Sequence, residues 1–292
     1  MKCKPAFFGE RELPRVEIDA QMLERFAQES VSLGLTVPGV QKKLSMHLSG
    51  EGPLRLTLVG YPAGYILKPQ TEEFAQLPEA EDLVMDIAEM MGVRTAPHGL
   101  IETSAGLAYI TKRMDRANGE VYAMEDFCQL SDRLTLDKYR GSYERCAKII
   151  RLYSARTGFD LSEFYLRLAV SFVTGNSDMH LKNFSLIEDE PQSRRFVLAD
   201  AYDLLPVNVI MPEDKEETAL TLNGKKSGLK REDFLALAKT IGLPDGSAEK
   251  ILQRAVKDLG KAKRLCEESY LVEGSKARMI ELMEERTERL RS

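Results

Sequence analysis

The sequence predicts an α+β protein of two lobes, a β-rich N-terminal lobe followed by a mostly helical C-terminal lobe. Three observations carry this. Short apolar runs with strand-like alternation crowd the chain before residue 116, around one strongly helical stretch. After residue 117 helical periodicity takes over. The exception there is a pair of strand-like runs, 184–187 and 195–198, on either side of the turn around Pro191. With 292 residues, 43% of them hydrophobic and 30% charged, the chain can bury a sizeable core in two domains, placed at 1–116 and 117–292.

Taken in order, residues 1–20 read as irregular because Pro5, Gly9 and Pro14 interrupt any period. Residues 18–32 read as a helix on the spacing of Ile18, Met22, Leu23, Phe26 and Ala27. A loop from Gly34 to Lys43 follows, with two glycines, a proline and two lysines. Strands are expected at 44–48, 54–58 and 65–67, the last ended by Lys68-Pro69. From Pro78 to Met91 the pattern is helical. Glu79, Glu81 and Asp82 fall in its first turn, where the helix dipole favours them, and Gly92 is the stop. Strands at 98–103 and 107–112 join at Ser104-Ala105-Gly106. Helices then follow at 141–155, 161–174, 231–241, 247–258 and 262–290.

A net charge of −5 argues against a general binder of nucleic-acid backbones. Cys3, Cys128, Cys146 and Cys266 lie far apart and form no C-x-x-C pair, which reads as reduced thiols in a cytosol. No apolar run approaches the ~20 residues of a membrane span. The first residues show no apolar leader. A cytoplasmic location without a membrane partner is the expectation.

The chemistry concentrates in Asn176-Ser177-Asp178-Met179-His180-Leu181-Lys182-Asn183. An Asp followed five positions later by an Asn is the spacing of the catalytic loop of protein kinases. There the Asp takes the acceptor hydroxyl proton and the Asn holds a metal ion. The same spacing arises at an ordinary helix end with a polar turn, so the rest of the chain must decide. Lys68, ending a strand, could neutralise nucleotide phosphates, with Glu81 from the next helix as its ion-pair partner. Each alone also reads as a surface lysine and a first-turn glutamate. Asp200 and Asp203 both follow the 184–198 hairpin. Asp203, between Tyr202 and Leu204-Leu205, is favoured as the oxygen ligand that would join Asn183 on Mg2+, while Asp200 reads as a strand cap. His180 reads either as a loop histidine bonded to backbone or as a contact to phosphate or to the neighbouring carboxylate. The loop 34–43 fits neither phosphate-binding glycine pattern, G-x-x-x-x-G-K-[ST] or G-x-G-x-x-G.

Five segments occur together in order: Thr36-Val37-Pro38-Gly39-Val40-Gln41-Lys42-Lys43-Leu44, Tyr65-Ile66-Leu67-Lys68-Pro69, Arg113-Met114-Asp115-Arg116, Asn176 to Ser185, and Ala201-Tyr202-Asp203-Leu204-Leu205. They resemble the HipA family of bacterial toxin serine/threonine kinases. The resemblance implies a bilobal protein-kinase-like fold, ATP with Mg2+, and transfer to a protein hydroxyl, with an aminoacyl-tRNA synthetase as the expected substrate. It implies Asp178 as the catalytic base, Asn183 and Asp203 as metal ligands, and Lys68 as the phosphate-binding lysine, supported by Glu81. Nucleotide contacts would come from Pro38, Gly39, Val40, Gln41, Lys42, Lys43, His180, Asn183, Tyr202 and Asp203. Lys112, Arg113 and Met114 would form the hinge that reads adenine. Self-inactivating autophosphorylation is implied at Thr36, with Ser30 and Ser32 close upstream. A cognate antitoxin is the implied partner, through which alone nucleic acid would be met. Cys3 to Gly9 looks like the tail of the family's extra N-terminal domain, so the chain is similar to the short split-toxin type, where a separate small protein supplies that domain. Two other classes stay open: a degenerate kinase that binds nucleotide and occupies a partner, and a small-molecule kinase of the same fold.

Overall fold

The computed structural model describes residues 7–8, 15–16, 43–49, 55–117 and 119–292. The chain divides into two compact units, residues 1–82 with 96–119 and residues 83–95 with 120–292.

The first unit is built on one six-stranded sheet. Its strands are β1 (Arg15–Val16), β2 (Leu44–Ser49), β3 (Arg55–Leu58), β4 (Tyr65–Pro69), β5 (His98–Thr103) and β6 (Gly106–Lys112), in the order β1-β3-β2-β4-β6-β5. All neighbours are antiparallel except β1 with β3. Strand periodicity sends Leu44, Met46, Tyr65 and Leu67 to one buried face, where they pack with Phe8, Leu56, Ile101, Ala108 and Ile110. The expectation of an irregular start is corrected at two points. Phe7 and Phe8 lay their rings within 5.7 Å and 5.6 Å of Tyr65. Arg15–Val16 pairs with Arg55–Leu56, because an open sheet edge offers backbone groups that need partners. The helix expected at 18–32, and the loop expected at 34–43 except for Lys43, lie outside the described residues.

Helix α1 runs Leu77–Met90. It starts one residue before the sequence placed it, so Glu81 is its fifth residue, beyond the first turn where the dipole acts. The reason for a glutamate there is therefore not the dipole. Gly92 takes a φ of 90°, the left-handed stop expected of it.

The two-residue strand β7 (Arg116–Ala117) falls in the last part of the first unit's sequence and β8 (Glu120–Val121) in the second's. In the second unit a three-stranded antiparallel sheet joins β9 (Met124–Asp126), β10 (Ser185–Glu188) and β11 (Phe196–Leu198) in the order β11-β10-β9. The helices are α2 (Tyr143–Tyr153), α3 (Thr157–Val173), α4 (Val207–Ile210), α5 (Arg231–Thr240), α6 (Asp245–Lys257), α7 (Leu259–Glu267) and α8 (Glu273–Arg291). Helix α3 is apolar on nearly every face and is the core of the unit, with Phe164, Leu168, Phe172 and Val173 all buried. It packs against α6. The single helix expected at 262–290 is two. Ser269 Oγ donates to the Cys266 carbonyl at 2.7 Å and ends α7. Helix α8 then turns back, and Lys263 meets Glu284 at 2.6 Å. The reversal buries Leu271, Met279 and Met283, and removing that apolar surface from water favours it.

Candidate active site

The 176–183 loop is delivered by the end of α3. Gly175 N–H donates to the Phe172 carbonyl at 3.2 Å and Asn176 N–H to the Ser171 carbonyl at 2.8 Å, which closes the helix in a Schellman turn. Gly175 has a φ of 76°, and a Cβ there would lie 3.1 Å from Leu282 Cδ2. The left-handed backbone is what calls for glycine, and a Cβ would in addition press on the Leu282 methyls.

Beyond it the loop is fixed by its own hydrogen bonds. Asn176 Oδ1 accepts from the Asp178 N–H at 3.2 Å, and the Asp178 carbonyl accepts from His180 N–H and from Asn183 Nδ2, both at 2.8 Å. Asn183 N–H donates to the His180 carbonyl at 3.0 Å. Ser177 Oγ donates to Asp214 at 2.8 Å, and Tyr143 Oη donates to the Met179 carbonyl at 3.1 Å. Beneath the loop Phe184 stacks on Phe127 at 5.6 Å and meets Phe164 edge-on at 5.1 Å. An aromatic bed of this kind holds backbone position through packing.

Within this frame Asp178 keeps its side chain 40% exposed. Its Oδ1 accepts from Tyr139 Oη at 2.7 Å, and its Oδ2 lies 3.9 Å from His180 Nε2. A carboxylate offers about four lone-pair sites, so one with its peptide fixed and its side chain part-exposed retains acceptor capacity for a substrate hydroxyl. Asn183 is buried, and because its Nδ2 is spent on the Asp178 carbonyl, its Oδ1 is the atom left to meet a cation.

The hairpin β10–β11 leads to the second acidic segment. Buried Arg167 donates to the Ala199 carbonyl at 2.9 Å, and Ala201 N–H donates to the Arg94 carbonyl at 2.7 Å. Asp200 is met by Arg94 at 3.1 Å. Tyr202 Oη donates to the Lys182 carbonyl at 3.0 Å and lies 2.5 Å from Ser185 Oγ, tying this segment to the loop through its hydroxyl. Burial pushes the Tyr202 hydroxyl above its usual ionisation range, so it stays a donor. Asp203 has a φ of 57°, a left-handed backbone that costs a non-glycine residue energy and that clusters at functional sites.

In the first unit Lys68 Nζ and Glu81 Oε1 are 2.5 Å apart, with side-chain exposures of 4% and 0%. The surface-lysine reading of Lys68 is corrected by this pair. Lys68 also lies 5.2 Å from the centre of the Tyr109 ring, its neighbour across the ladder. Lys112 ends β6, and Arg113 forks onto the Asp115 carboxylate at 2.9 and 2.7 Å, shaping the segment that includes Met114. Lys43 lies at the mouth of β2 and is exposed. Ser30, Ser32, Thr36, Pro38, Gly39, Val40, Gln41 and Lys42 lie outside the described residues. Sequence reasoning missed Tyr139, which sits 39 positions before Asp178 with no spacing to mark it.

A family model described as the HipA-like C-terminal domain matches residues 35–263. Two Sinorhizobium fredii proteins, named Putative kinase Y4dM and Putative kinase Y4mE, are each 30% identical to the chain, over 71% and 73% of it. Those matches cover 54% and 52% of the relatives, so the chain spans about half their length. A Haemophilus influenzae protein, named Putative kinase, is 26% identical over 81% of this chain and 75% of its own. Among solved structures, a chain of the Shewanella oneidensis toxin–antitoxin complex of HipA, HipB and operator DNA superposes with a TM-score of 0.73 at 18% identity. That match covers 87% of this chain and 64% of that one. The Helicobacter pylori proinflammatory kinase CtkA matches with a TM-score of 0.60 at 15% identity, over 84% of this chain and 93% of its own. The fold is kinase-like. No described helix is long and apolar enough to cross a membrane.

Proposed function

Because the chain belongs to the HipA-like C-terminal domain family, we propose that it is an ATP- and Mg2+-dependent serine/threonine protein kinase, acting as a cytoplasmic toxin held in check by an antitoxin. The observation that carries this reading is the Asp178 loop, a half-open carboxylate on a backbone fixed by the Asn183 side chain. Asp178 would orient the acceptor hydroxyl and accept its proton. The hydroxyl oxygen would bond to the γ-phosphorus while the β–γ bridging bond breaks and ADP leaves. Lys68, held by Glu81, would neutralise phosphate charge. Asn183 and Asp203 offer the hard oxygen donors that Mg2+ takes, which fits that ion rather than a thiolate-loving one. Bound there, Mg2+ would offset the negative charge of the phosphates. The protein's own contribution is then position and fixed charge.

The family resemblance points to a protein substrate, an aminoacyl-tRNA synthetase first, and to self-modification at Thr36. Two negative charges added there would repel nucleotide phosphates. The deciding experiment is transfer of label from γ-labelled ATP to proteins of a host lysate, with the Asp178→Gln variant alongside. Label that depends on Asp178 and Mg2+ supports the reading. Thermal stabilisation by ATP without transfer overturns it in favour of a nucleotide-dependent binding protein.

A further inference from the structure

Asp178 is open to solvent, and a carboxylate in water turns about a broad, nearly two-fold torsion. Its orientation must therefore come from a neighbour. We infer that Tyr139 is a positioning residue for Asp178, fixing the plane of the carboxylate so that its second oxygen faces the acceptor hydroxyl. This rests on the reading of Asp178 as the base.

The geometry singles out Tyr139 in three ways. Its hydroxyl donates to Asp178 Oδ1 at 2.7 Å, a charge-assisted bond. Its ring stands edge-on to His180, with centroids 5.1 Å apart, and carries Lys138 Nζ over it at 4.9 Å. The preceding carbonyl, of Lys138, accepts from the Leu181 N–H at 3.1 Å, so the two segments are joined by backbone as well. The segment as a whole is exposed, Leu134, Leu136 and Tyr139 included; what sets the tyrosine apart is that its hydroxyl is directed at the Asp178 carboxylate. Burial and the Asp178 charge both push the Tyr139 hydroxyl above its ordinary ionisation range, so it remains a proton donor across the working pH range.

The test is Tyr139→Phe, which keeps the ring against His180 and removes only the donor. The expected result is a fall of about ten-fold or more in kcat, with KM for ATP and the melting temperature unchanged. Wild-type kcat in an active preparation would overturn the inference while leaving the kinase reading intact. A fall in kcat matched by a rise in KM or a lower melting temperature would also overturn it, since a merely structural tyrosine behaves that way. A wild-type protein that transfers no label would sink the reading of the site and this inference with it. A second measurement needs no turnover: tyrosine absorbance followed against pH. In Asp178→Asn one tyrosine should ionise at lower pH than in the wild type, and adding Tyr139→Phe should abolish that difference. No change between wild type and Asp178→Asn would count against the bond.

Discussion

Lys68 and Asp178 both carry charge that the proposed chemistry needs, and the fold treats them in opposite ways. Lys68 is sealed, with Glu81 at 2.5 Å and both side chains almost without exposure. Asp178 is 40% exposed and is held by a tyrosine hydroxyl and by the hydrogen bonds of its own peptide. The difference follows from what each must meet. A lysine for nucleotide phosphates gains from a low dielectric, where its charge is felt strongly, but burial then demands a counter-charge. A base for the hydroxyl of another molecule has to stay reachable. It avoids the desolvation cost and requires orientation instead.

The largest effect that would break this contrast lies in the first unit. Glu81→Leu alone removes the carboxylate beside a buried ammonium and should destabilise that unit by ~3–5 kcal/mol, read from urea denaturation. Lys68→Met with Glu81→Leu removes both charges and should recover most of that stability, yet it should still abolish transfer. A single Glu81→Leu that costs under ~1 kcal/mol would mean the pair is far wetter than its burial implies. Asp178→Asn is the matching change at the open site. It should abolish transfer and alter stability by no more than ~1 kcal/mol, because the group is half in water.

Between these lies the loop's frame. Ser177→Ala removes the bond to Asp214 and should cost ~0.5–1.5 kcal/mol. It should lower kcat as well, since the peptide carrying Asp178 is then held by one tie fewer. Unchanged kcat would show that the helix end and the aromatic bed alone fix the loop.

How much of this was legible follows the range of each interaction. Lys68 could be placed because Pro69 ends its strand, and Asp178 and Asn183 because their spacing lies within one loop. The strand at 98–103 and the ends of α5 and α6 came within two residues for the same reason, since periodicity is a local signal. The break between α7 and α8 was not legible. No proline or glycine stands at Ser269-Tyr270-Leu271, and the turn is set by the burial of Leu271, Met279 and Met283. Nor could periodicity assign Glu81 to Lys68 over the helix dipole, because that choice depends on burial. Tyr139 was beyond reach, as its partner is 39 positions away. The positive φ of Asp203 is a backbone property that no local pattern marks, although Asp adopts it more readily than most residues.

Glu188 supplies a third way of holding a charge, and the smallest predicted effect. It ends β10, in the hairpin between Asn183 and Asp203, and it accepts from backbone N–H groups. These are Ala123 at 3.0 Å, Arg194 at 2.9 Å and Gln192 at 3.2 Å. Those bonds, the one from Ala123 foremost, hold its carboxyl below the ordinary value of 4.5. The folded state therefore binds the proton less readily than the unfolded chain. The stability this supplies is present above 4.5 and is lost as pH falls from there through the depressed folded value. Denaturation midpoints measured from neutral pH down through that window should fall more steeply in the wild type than in Glu188→Gln, which starts lower and stays flatter. Parallel curves would mean that peptide dipoles do not stabilise this charge.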